Sequence, residues 1–462
     1  MTVYSIFLYV GIAALILSLL RFFFAKPKSI LINYVQHFIG SLFVFSGFVK
    51  AVDPLGTSYK MLEYFEAMKL EVFAPFSTPF SVIMIVLEIW AGIAIIIGWR
   101  PKLTVSVLLL MTLFFTALTG YTYISGYAPS LKFWAFFTGA ILSFAIVGIV
   151  EKPLYRNFAW VTGIGSLLMI WVGIKFSSTL FTAPFSETGM KVTDCGCFGD
   201  FIKLKPWETF WKDVFLDVVI LYLALNYKKI STWFAELPRT IIASGIAVLT
   251  LAFCLYNFLW NEPVIDFRPY ALGNNIPKLR VAEKPEVKEF KFIYKNKKTQ
   301  EEKEFSTAEL STMNYDEWDY KDRKDIIIDA GIPAKITNLF IFNEDKEEIT
   351  DDLLHYEGYS LIVVAYKLRN THTSAFESLN KLAEASDKAG IKFYALTSEE
   401  AETFRHEHQC AYPFYTADET PLKTIMRSNP GLLLLKNGVV VNKWHYKHLP
   451  TFEDLNSLYF KK

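Results

Sequence analysis

The stretch STPFSVIMIVLEIWAGIAIIIG, residues 77–98, carries a single ionisable side chain, Glu88, in a mostly apolar run. About 20 predominantly apolar residues form a helix that spans the hydrocarbon core of a bilayer, so this stretch predicts a transmembrane helix. A carboxyl group at that depth is costly, which makes Glu88 a candidate functional residue. The alternative is structural: a protonated Glu88 hydrogen-bonds a neighbouring helix and locks the helices together.

Seven further apolar runs predict a polytopic α-helical membrane domain of about eight transmembrane helices. The composition agrees, with 52% hydrophobic residues and 20% charged residues, the charges being concentrated in the C-terminal part. The net charge of +1 gives no basis for nucleic-acid binding. The seventh run is the weakest because Asp217 lies within it. The predicted spans are 3–24, 31–50, 77–98, 103–123, 132–150, 157–177, 211–227 and 240–260.

These patterns divide the chain into five parts. Residues 1–30 hold the first helix and a basic loop, and residues 31–150 hold four apolar segments with short links, as in a four-helix bundle. Residues 151–260 add further helices around a polar loop at 178–210. Residues 261–354 form a linker with a predicted hairpin, and residues 355–462 form an α/β domain.

The basic residues of the short loops predict the orientation. The loops after spans one, three, five and seven are basic, so the positive-inside rule places them in the cytoplasm. With eight spans, both termini, the loop 178–210 and the C-terminal domain then lie outside. In a bacterium this compartment is the oxidising periplasm, and the protein is a multi-pass protein of the inner membrane. The loops contain Arg21, Lys26 and Lys28; Arg100 and Lys102; Lys152 and Arg156; Lys228, Lys229 and Arg239.

Two cysteines lie one residue apart in the run DCGCFGD, residues 194–200, in the predicted outer loop. Gly196 allows the dihedrals that a very small disulfide ring between Cys195 and Cys197 needs. Strained, exposed disulfides have more oxidising potentials, which favours exchange chemistry over stapling. Three interpretations stay open: reversible redox chemistry, a fixed disulfide or structural loop, and a soft-metal site, for which no further ligand lies nearby.

The surroundings of the pair determine whether a thiolate is stabilised. Asp194 and Asp200 oppose negative charge, whereas Phe198 and Trp207 are expected to dock the loop on the outer face of the helices. Basic residues flank the pair and favour a thiolate: Lys191, Lys203 and Lys205.

Other polar side chains of the predicted helices have plainer interpretations. Lys50 and Asp53 are interpreted as helix-end anchors at the membrane interface, and His37 as a packed residue. Glu88 is the sole evident charge in the interior of the predicted bundle, which argues against a transport path. Cys410 is isolated, and an isolated cysteine is usually a small buried hydrophobe.

Three features stand out in the membrane part: the run Ser46–Lys50 leading to Asp53-Pro54, Glu88, and the turn Gly98-Trp99-Arg100. With these features it resembles the DoxX family of small bacterial membrane proteins.

The run 194–200, followed by Trp207 and Lys212-Asp213, resembles the related MauE branch, and the two resemblances cover about residues 31–227. MauE is linked by its family description to maturation of methylamine dehydrogenase, a periplasmic enzyme with many disulfides. These families are similar to membrane enzymes that form disulfides and reduce a quinone, so the resemblance implies a quinone as cofactor, although the residues alone show none. Those enzymes use two cysteine pairs, and here only Cys254, near the outer end of the eighth span, is a candidate third thiol.

In the C-terminal part, alternating strands and helices from residue 361 are followed by Pro430, directly before a buried strand, and by the hairpin turn Lys436–Gly438. This order resembles the thioredoxin fold, and the resemblance makes Pro430 the candidate cis-proline. The loop Lys367–Thr373, where a thioredoxin carries its Cys-x-x-Cys pair, holds no cysteine. The domain is therefore expected to bind clients without redox chemistry of its own.

The sequence thus predicts a membrane protein that supports thiol–disulfide exchange or maturation of periplasmic clients through Cys195 and Cys197. Its expected partners are the lipid bilayer and a periplasmic client or redox partner. The alternative is a non-enzymatic scaffold or assembly subunit with a structural loop and a binding-only thioredoxin-like domain.

Overall fold

The chain forms two compact units, Met1–Phe267 and Arg268–Lys462, in a computed structural model. The structure describes residues 3–127, 129–176, 180–181, 192, 196–202, 204–329 and 331–461. Asp194 and Cys195 lie outside the described residues, as do Lys191 and Lys203. Each unit is described by itself below.

The first unit is helical. Long apolar runs without helix breakers produce the long helices, and Pro or Gly residues stand at several of their boundaries. The helices are α1 (Val3–Phe24), α2 (Ile30–Val52), α3 (Pro54–Ala67), α4 (Ser77–Ile97), α5 (Pro101–Ser125), α6 (Leu131–Ile149), α7 (Pro153–Phe176), α8 (Pro206–Leu225) and α9 (Glu236–Trp260), with a 3₁₀ segment at Glu71–Phe76.

A helix occupies each of the eight predicted spans, and the unit is a polytopic membrane domain. Within the described part of the chain, six helices are long and apolar enough to cross a bilayer: α1, α2, α4, α5, α6 and α9. Helix α8 is not among them because it carries several charges, including Lys212, Asp213 and Asp217. The count of eight spans and the orientation stay predictions.

Helix α3 was not predicted, and Asp53 explains where it begins. The Asp53 side chain accepts a hydrogen bond from the Gly56 N–H at 3.0 Å, and Pro54 occupies the first helical position. Proline suits that position because its missing N–H would have no intrahelical partner there. Asp53 is therefore a helix cap, which is more specific than the interface anchor that the sequence suggested.

Helix packing extends beyond residues 31–150. Helix α2 packs most extensively on α4, α5 on α8, and α6 on α7, while α9 also packs on α4. The four helices of the predicted bundle thus share their interfaces with helices outside it. The largest apolar cluster of the unit includes residues of α1, α2, α4, α5 and α8.

The second unit contains two sheets. An antiparallel three-stranded sheet has the order β2-β1-β3, and the predicted hairpin is its β1–β2 pair. A six-stranded sheet has the order β4-β7-β6-β5-β8-β9. The strands are β1 (Val287–Asn296), β2 (Glu302–Ser306), β3 (Trp318–Asp329), β4 (Ile341–Phe342), β5 (Tyr359–Val364), β6 (Lys392–Thr397), β7 (Phe414–Ala417), β8 (Gly431–Lys436) and β9 (Val439–His445).

The six-stranded sheet forms the centre of this unit. Strands β5, β6 and β7 are parallel, and β4, β8 and β9 run antiparallel to their neighbours. Apolar clusters cover both of its faces. The peptide bond between Asn429 and Pro430 is cis. The helices are α10 (Ile276–Leu279), α11 (Thr307–Leu310), α12 (Thr350–Leu354), α13 (Phe376–Lys388), α14 (Glu402–Glu407), α15 (Glu419–Ile425) and α16 (Phe452–Leu455).

Candidate functional site

The described part of the cysteine loop is a compact pair of turns. The Gly199 N–H donates to the Gly196 carbonyl at 3.0 Å, and the Phe201 N–H donates to the Phe198 carbonyl at 3.1 Å. Gly196 and Gly199 have φ values of 59° and 51°, a region in which glycine is strongly favoured. The two glycines of the motif thus allow the tight turns between residues 196 and 201.

Phe198 anchors this loop in the helical unit. Its ring is fully buried and lies 6.0 Å from the ring of Phe45 on α2. The Lys212 ammonium lies 5.3 Å from the centre of the same ring, within the range of a cation–π interaction. Trp207, the second predicted docking residue, is 49% exposed. Phe198 therefore provides the docking that the sequence had divided between two aromatic residues.

Glycines bring α2 and α4 into close contact below the loop. A Cβ atom at Gly92 would lie 2.8 Å from the Gly40 carbonyl oxygen and 2.9 Å from the Val44 nitrogen. A Cβ at Gly47 would lie 3.1 Å from the Cβ of Glu88. Small residues allow helix backbones to approach closely in membranes. One turn beyond Gly47, Lys50 therefore reaches Glu88 across the interface.

Lys50 and Glu88 form a buried ion pair. The Lys50 Nζ lies 2.8 Å from Oε1 and 2.9 Å from Oε2 of Glu88, and the side chains are only 4% and 1% exposed. The interface-anchor interpretation of Lys50 is therefore wrong, because its ammonium is directed into the helical core. Glu88 joins two helices, as its structural interpretation required, but its partner is a lysine.

Ser46 links this ion pair to the cysteine loop. Its hydroxyl accepts a hydrogen bond from Lys50 Nζ at 2.8 Å and donates to the Cys197 carbonyl oxygen at 3.1 Å. The Ser46 oxygen also lies 3.4 Å from Glu88 Oε2. A side chain one turn before Lys50 on α2 thus holds the backbone of the cysteine next to two buried charges.

A second group of buried polar side chains lies between α5 and α8. Lys212 Nζ and Asp213 Oδ1 are 2.8 Å apart, and Thr119 donates to the other Asp213 oxygen at 3.1 Å. One turn further along α8, Thr116 donates to Asp217 at 2.6 Å. The sequence suggested that Glu88 is the sole charge in the interior of the bundle. This prediction is wrong, because charged side chains of α2 and α8 are also buried.

Both polar groups line one cavity beneath the loop. About 60 Å³ of it is accessible to the centres of water molecules, and its wall includes Lys50, Glu88, Lys212, Asp213 and Cys197. The remaining wall is mostly apolar. A cysteine and two ion pairs thus line one cavity of the helical unit. Groups that can hold or move protons therefore lie around Cys197.

The other predicted site residues that the structure describes are not part of this cavity wall. Cys254 on α9 is buried among apolar side chains that include Ala51, Ile85 and Ile89. Asp200 lies within the second turn of the loop, between Phe198 and Phe201, and is half-buried. Pro430 belongs to the second unit. Among the described residues, no group of three or more His, Cys, Asp or Glu side chains is arranged to hold a metal ion.

The loop after β5 in the second unit is closed by hydrogen bonds. The His372 N–H donates to the Asn429 carbonyl at 3.0 Å, and the Asn429 amide donates to the Lys367 carbonyl at 2.9 Å. The His372 ring stacks on Tyr446 with centroids 4.2 Å apart. These bonds tie the cysteine-free loop to the segment that contains the cis peptide bond.

The comparison with protein families gives one match. Residues 28–130 match the family described as methylamine utilisation protein MauE. The matched segment contains Ser46, Lys50 and Glu88 and ends before the cysteine loop. The similarity to MauE is thus confirmed for residues 28–130. The resemblance of the run 194–200 to MauE and the resemblance to DoxX stay predictions. Comparisons with curated proteins and with solved structures give no match.

Proposed function

We propose that this MauE-like membrane protein supports thiol–disulfide exchange on periplasmic client proteins through Cys195 and Cys197. One observation carries the proposal: Cys197 lies at the wall of a cavity that also contains Lys50, Glu88, Lys212 and Asp213. Buried charges in a membrane unit are costly and mark functional sites by default. Here they surround the backbone that presents a cysteine.

The proposed exchange balances within the two proteins. A client thiolate attacks one sulfur of the Cys195–Cys197 disulfide, forms a mixed disulfide and releases the other loop sulfur as a thiolate. A second client thiolate then attacks the client sulfur of the mixed disulfide. The client gains a disulfide, and the loop holds the two electrons as a dithiol. The attacking thiols must first lose their protons, so the exchange requires groups near the loop that accept protons. The carboxylates of the cavity fit that role.

Regeneration of the loop disulfide needs an acceptor for two electrons and two protons. We assign this role to a lipid-soluble quinone. A bound quinone would take up the two electrons and two protons on its two carbonyl oxygens, while the two S–H bonds of the loop break and the S–S bond forms. A quinone dissolved in the bilayer reaches a membrane unit directly, and within the described part of the chain no second cysteine lines the cavity.

The second unit is proposed to be a thioredoxin-like client-binding domain. Its support is the order β7-β6-β5-β8-β9, with three parallel strands followed by an antiparallel hairpin, and a cis-proline directly before β8. Because Lys367–Thr373 carries no cysteine, this domain binds without exchanging disulfides. The basic short loops support a bacterial inner-membrane location with both termini in the periplasm, which a periplasm-only reporter fused after Trp260 tests.

The alternative is an assembly scaffold in which the loop is only structural. The burial of Phe198 and the bond from Ser46 to the loop favour it, because both hold the loop in place. Under this alternative the Cys195–Cys197 pair never changes its redox state in cells.

Trapping of mixed disulfides separates the two functions. The full chain is expressed with Cys197→Ser or Cys195→Ser, thiols are blocked with a mass tag on acid quenching, and disulfide-linked adducts are identified. We expect a client adduct with at least one of the two variants and none with both cysteines replaced. Cys410→Ser is the matched control and should leave the adducts unchanged. A pair that stays in one redox state and traps no partner would refute exchange.

A further inference from the structure

Three of the basic loops of the helical unit meet at one pocket. Lys28 comes from the loop between α1 and α2, Arg100 and Lys102 from the start of α5, and Lys228 from a 3₁₀ turn at Tyr227–Lys229 after α8. Lys28 Nζ donates a hydrogen bond to the Lys228 carbonyl oxygen at 3.1 Å across 200 positions of sequence. Folding, rather than a local run of lysines, therefore gathers these cations at one place.

The pocket carries an excess of positive charge, because its described wall contains no carboxylate. Glu151, outside the wall, accepts a hydrogen bond from the Tyr227 hydroxyl at 2.6 Å and lies 3.1 Å from Lys102 Nζ. These two contacts hold the pKa of the Glu151 carboxyl below its usual range, so it stays charged and pairs with one cation. Lys28 and Arg100 form no ion pair among the described residues. Four cations and one carboxylate thus leave three positive charges unbalanced.

The rest of the pocket wall is mostly apolar and lies at the ends of two membrane-spanning helices. Helix α5 begins at Pro101 and α6 ends at Ile149, both residues line the pocket, and both helices are long and apolar enough to cross a bilayer. Of the other apolar side chains of the wall, Ile230 is buried and Leu103 is 45% exposed. About 670 Å³ of the pocket is accessible to the centres of water molecules, whereas roughly 10–15 Å³ holds one water. A space with basic and apolar walls, large enough for a lipid headgroup, therefore lies where these helices leave the bilayer.

Aromatic rings hold two of the cations. The Arg100 guanidinium lies 5.2 Å from the centre of the Trp99 ring, and the Trp99 indole N–H donates to the Thr240 hydroxyl at 3.1 Å. The Lys228 ammonium lies 5.8 Å from the centre of the Tyr227 ring. Rings within about 6 Å attract a cation, which restricts where these two side chains place their N–H donors. An arginine positioned in this way presents its planar fork to a phosphate at a lower ordering cost.

We propose that this pocket binds the headgroup of an anionic phospholipid. The phosphate oxygens accept hydrogen bonds from Arg100, Lys28 and Lys228, and an acyl chain lies against the apolar part of the wall. Phosphatidylglycerol and cardiolipin belong to this class, whereas the unbalanced cations repel the ammonium group of phosphatidylcholine. The site goes beyond general contact with the bilayer, because it selects a headgroup at one place. Its described wall shares no residue with that of the cavity beneath the cysteine loop, and it is independent of the proposed exchange.

Native mass spectrometry of the full chain in detergent micelles tests the site. The protein is titrated with phosphatidylglycerol and, separately, with phosphatidylcholine that has the same acyl chains. We expect phosphatidylglycerol to bind about tenfold more tightly. Each cation near a lipid surface changes the affinity for anionic lipid about fivefold. Arg100→Gln and Lys28→Gln should therefore each weaken binding about fivefold, and the double variant Arg100→Gln, Lys228→Gln about 25-fold. Equal affinity for the two lipids would overturn the proposal.

A second double variant is the matched control. Lys152→Gln, Arg156→Gln removes two positive charges at the start of α7, and neither residue lines the pocket. Its affinity for phosphatidylglycerol should stay within about twofold of the parent value. Circular dichroism and the reporter fused after Trp260 should give the same result for both double variants, which excludes misfolding and inverted insertion as causes of a difference. An equal loss of binding in the two would mean that any basic loop attracts anionic lipid, and the proposal would be wrong.

Two further measurements distinguish a lipid from a soluble phosphate compound. Phosphatidylglycerol with a diazirine near the headgroup end of an acyl chain should label residues 101–106 or 227–232, which contain most of the pocket wall. Millimolar inorganic phosphate or glycerol 3-phosphate should leave the lipid bound, because neither has an acyl chain to contact the apolar wall. Displacement by either compound would show that the pocket takes a soluble phosphate and would overturn the lipid as its occupant. Labels confined to other segments would overturn the location.

Discussion

The loop around Cys197 in the helical unit and the loop Lys367–Thr373 in the α/β unit differ in where their charges lie. Beside Cys197, Lys50 and Glu88 are withdrawn from solvent and paired. In the second loop, Arg369 is 72% exposed and pairs with Glu399 at 2.8 Å. The first loop keeps a cysteine at a cavity, and the second is closed without one. Under the proposed function, the helical unit carries the exchange chemistry and the α/β unit binds the client.

Removal of one partner from the buried pair should have the largest effect. Lys50→Met leaves Glu88 buried without its partner, and breaking a buried ion pair costs about 3–5 kcal/mol. We expect this loss in the free energy of unfolding, measured by denaturant titration in detergent. The double variant Lys50→Met, Glu88→Met should recover most of it because no charge remains buried.

The exposed pair Lys381–Glu377 on α13 is the control from the other unit. Its side chains are 75% and 79% exposed, and exposed pairs are screened by water and salt. Lys381→Met should therefore leave stability unchanged within error. The double variant at Lys50 and Glu88 could instead lose as much free energy of unfolding as the two single variants together. The difference between the two units would then not result from charge burial.

Close helix packing predicts the next largest effect. Gly92→Ala places a methyl group against backbone atoms of α2, which cannot move aside as a side chain would. Overpacking of this kind costs about 1–3 kcal/mol, and it should also separate Lys50 from Glu88. Thermal unfolding in detergent measures the first effect. Gly245→Ala on α9 is the control, since a Cβ there meets nothing within 4 Å; equal destabilisation by both variants would contradict the packing argument.

The hydrogen bond from Ser46 predicts a smaller effect. Ser46→Ala removes the donor to the Cys197 carbonyl and an acceptor of Lys50, a loss of about 1 kcal/mol. The loop should then open more often, so Cys197 in the reduced protein should be alkylated faster. Alkylation is followed by mass spectrometry of the loop peptide. Ser81→Ala is matched to it, because the Ser81 hydroxyl is buried with no partner among the described residues; faster alkylation in both would show that the Ser46 bond is irrelevant.

Periodicity and length predicted the helices well, because an apolar run of bilayer length has few other stable structures. The pairing of Lys50 with Glu88 was not predicted, since the two residues lie 38 positions apart and meet only where α2 and α4 approach closely. The signal was present in Gly40, Gly47 and Gly92, whose small size permits that approach. Read together with the two charges, these glycines would have indicated a shared interface.

Short elements were harder to predict in the α/β unit. Strand β7 has four residues, Phe414–Ala417, and follows the proline at position 413, so no alternating pattern of useful length marks it. Strand β3 is longer but carries charges at most positions, and its exposure on both sides removes the period of two. Pairing with strands that are distant in the sequence determines both strands. The local sequence therefore contains little information about them.

Cys410 should be inert, which is the smallest expected effect and the sharpest contrast with the cysteine loop. Burial raises the pKa of its thiol, while a hydrogen bond with Tyr412 and the charge of Arg405 act in the opposite direction. A raised pKa keeps the thiol protonated at neutral pH, and only the thiolate is a nucleophile. Alkylation of Cys410 by iodoacetamide should therefore be slower in the folded chain than in the unfolded chain and should accelerate as the pH rises. Cys410→Ser should leave client adducts unchanged. Rapid alkylation at neutral pH would mean that the α/β unit also presents a reactive thiol, and the division of chemistry and binding between the two units would then fail.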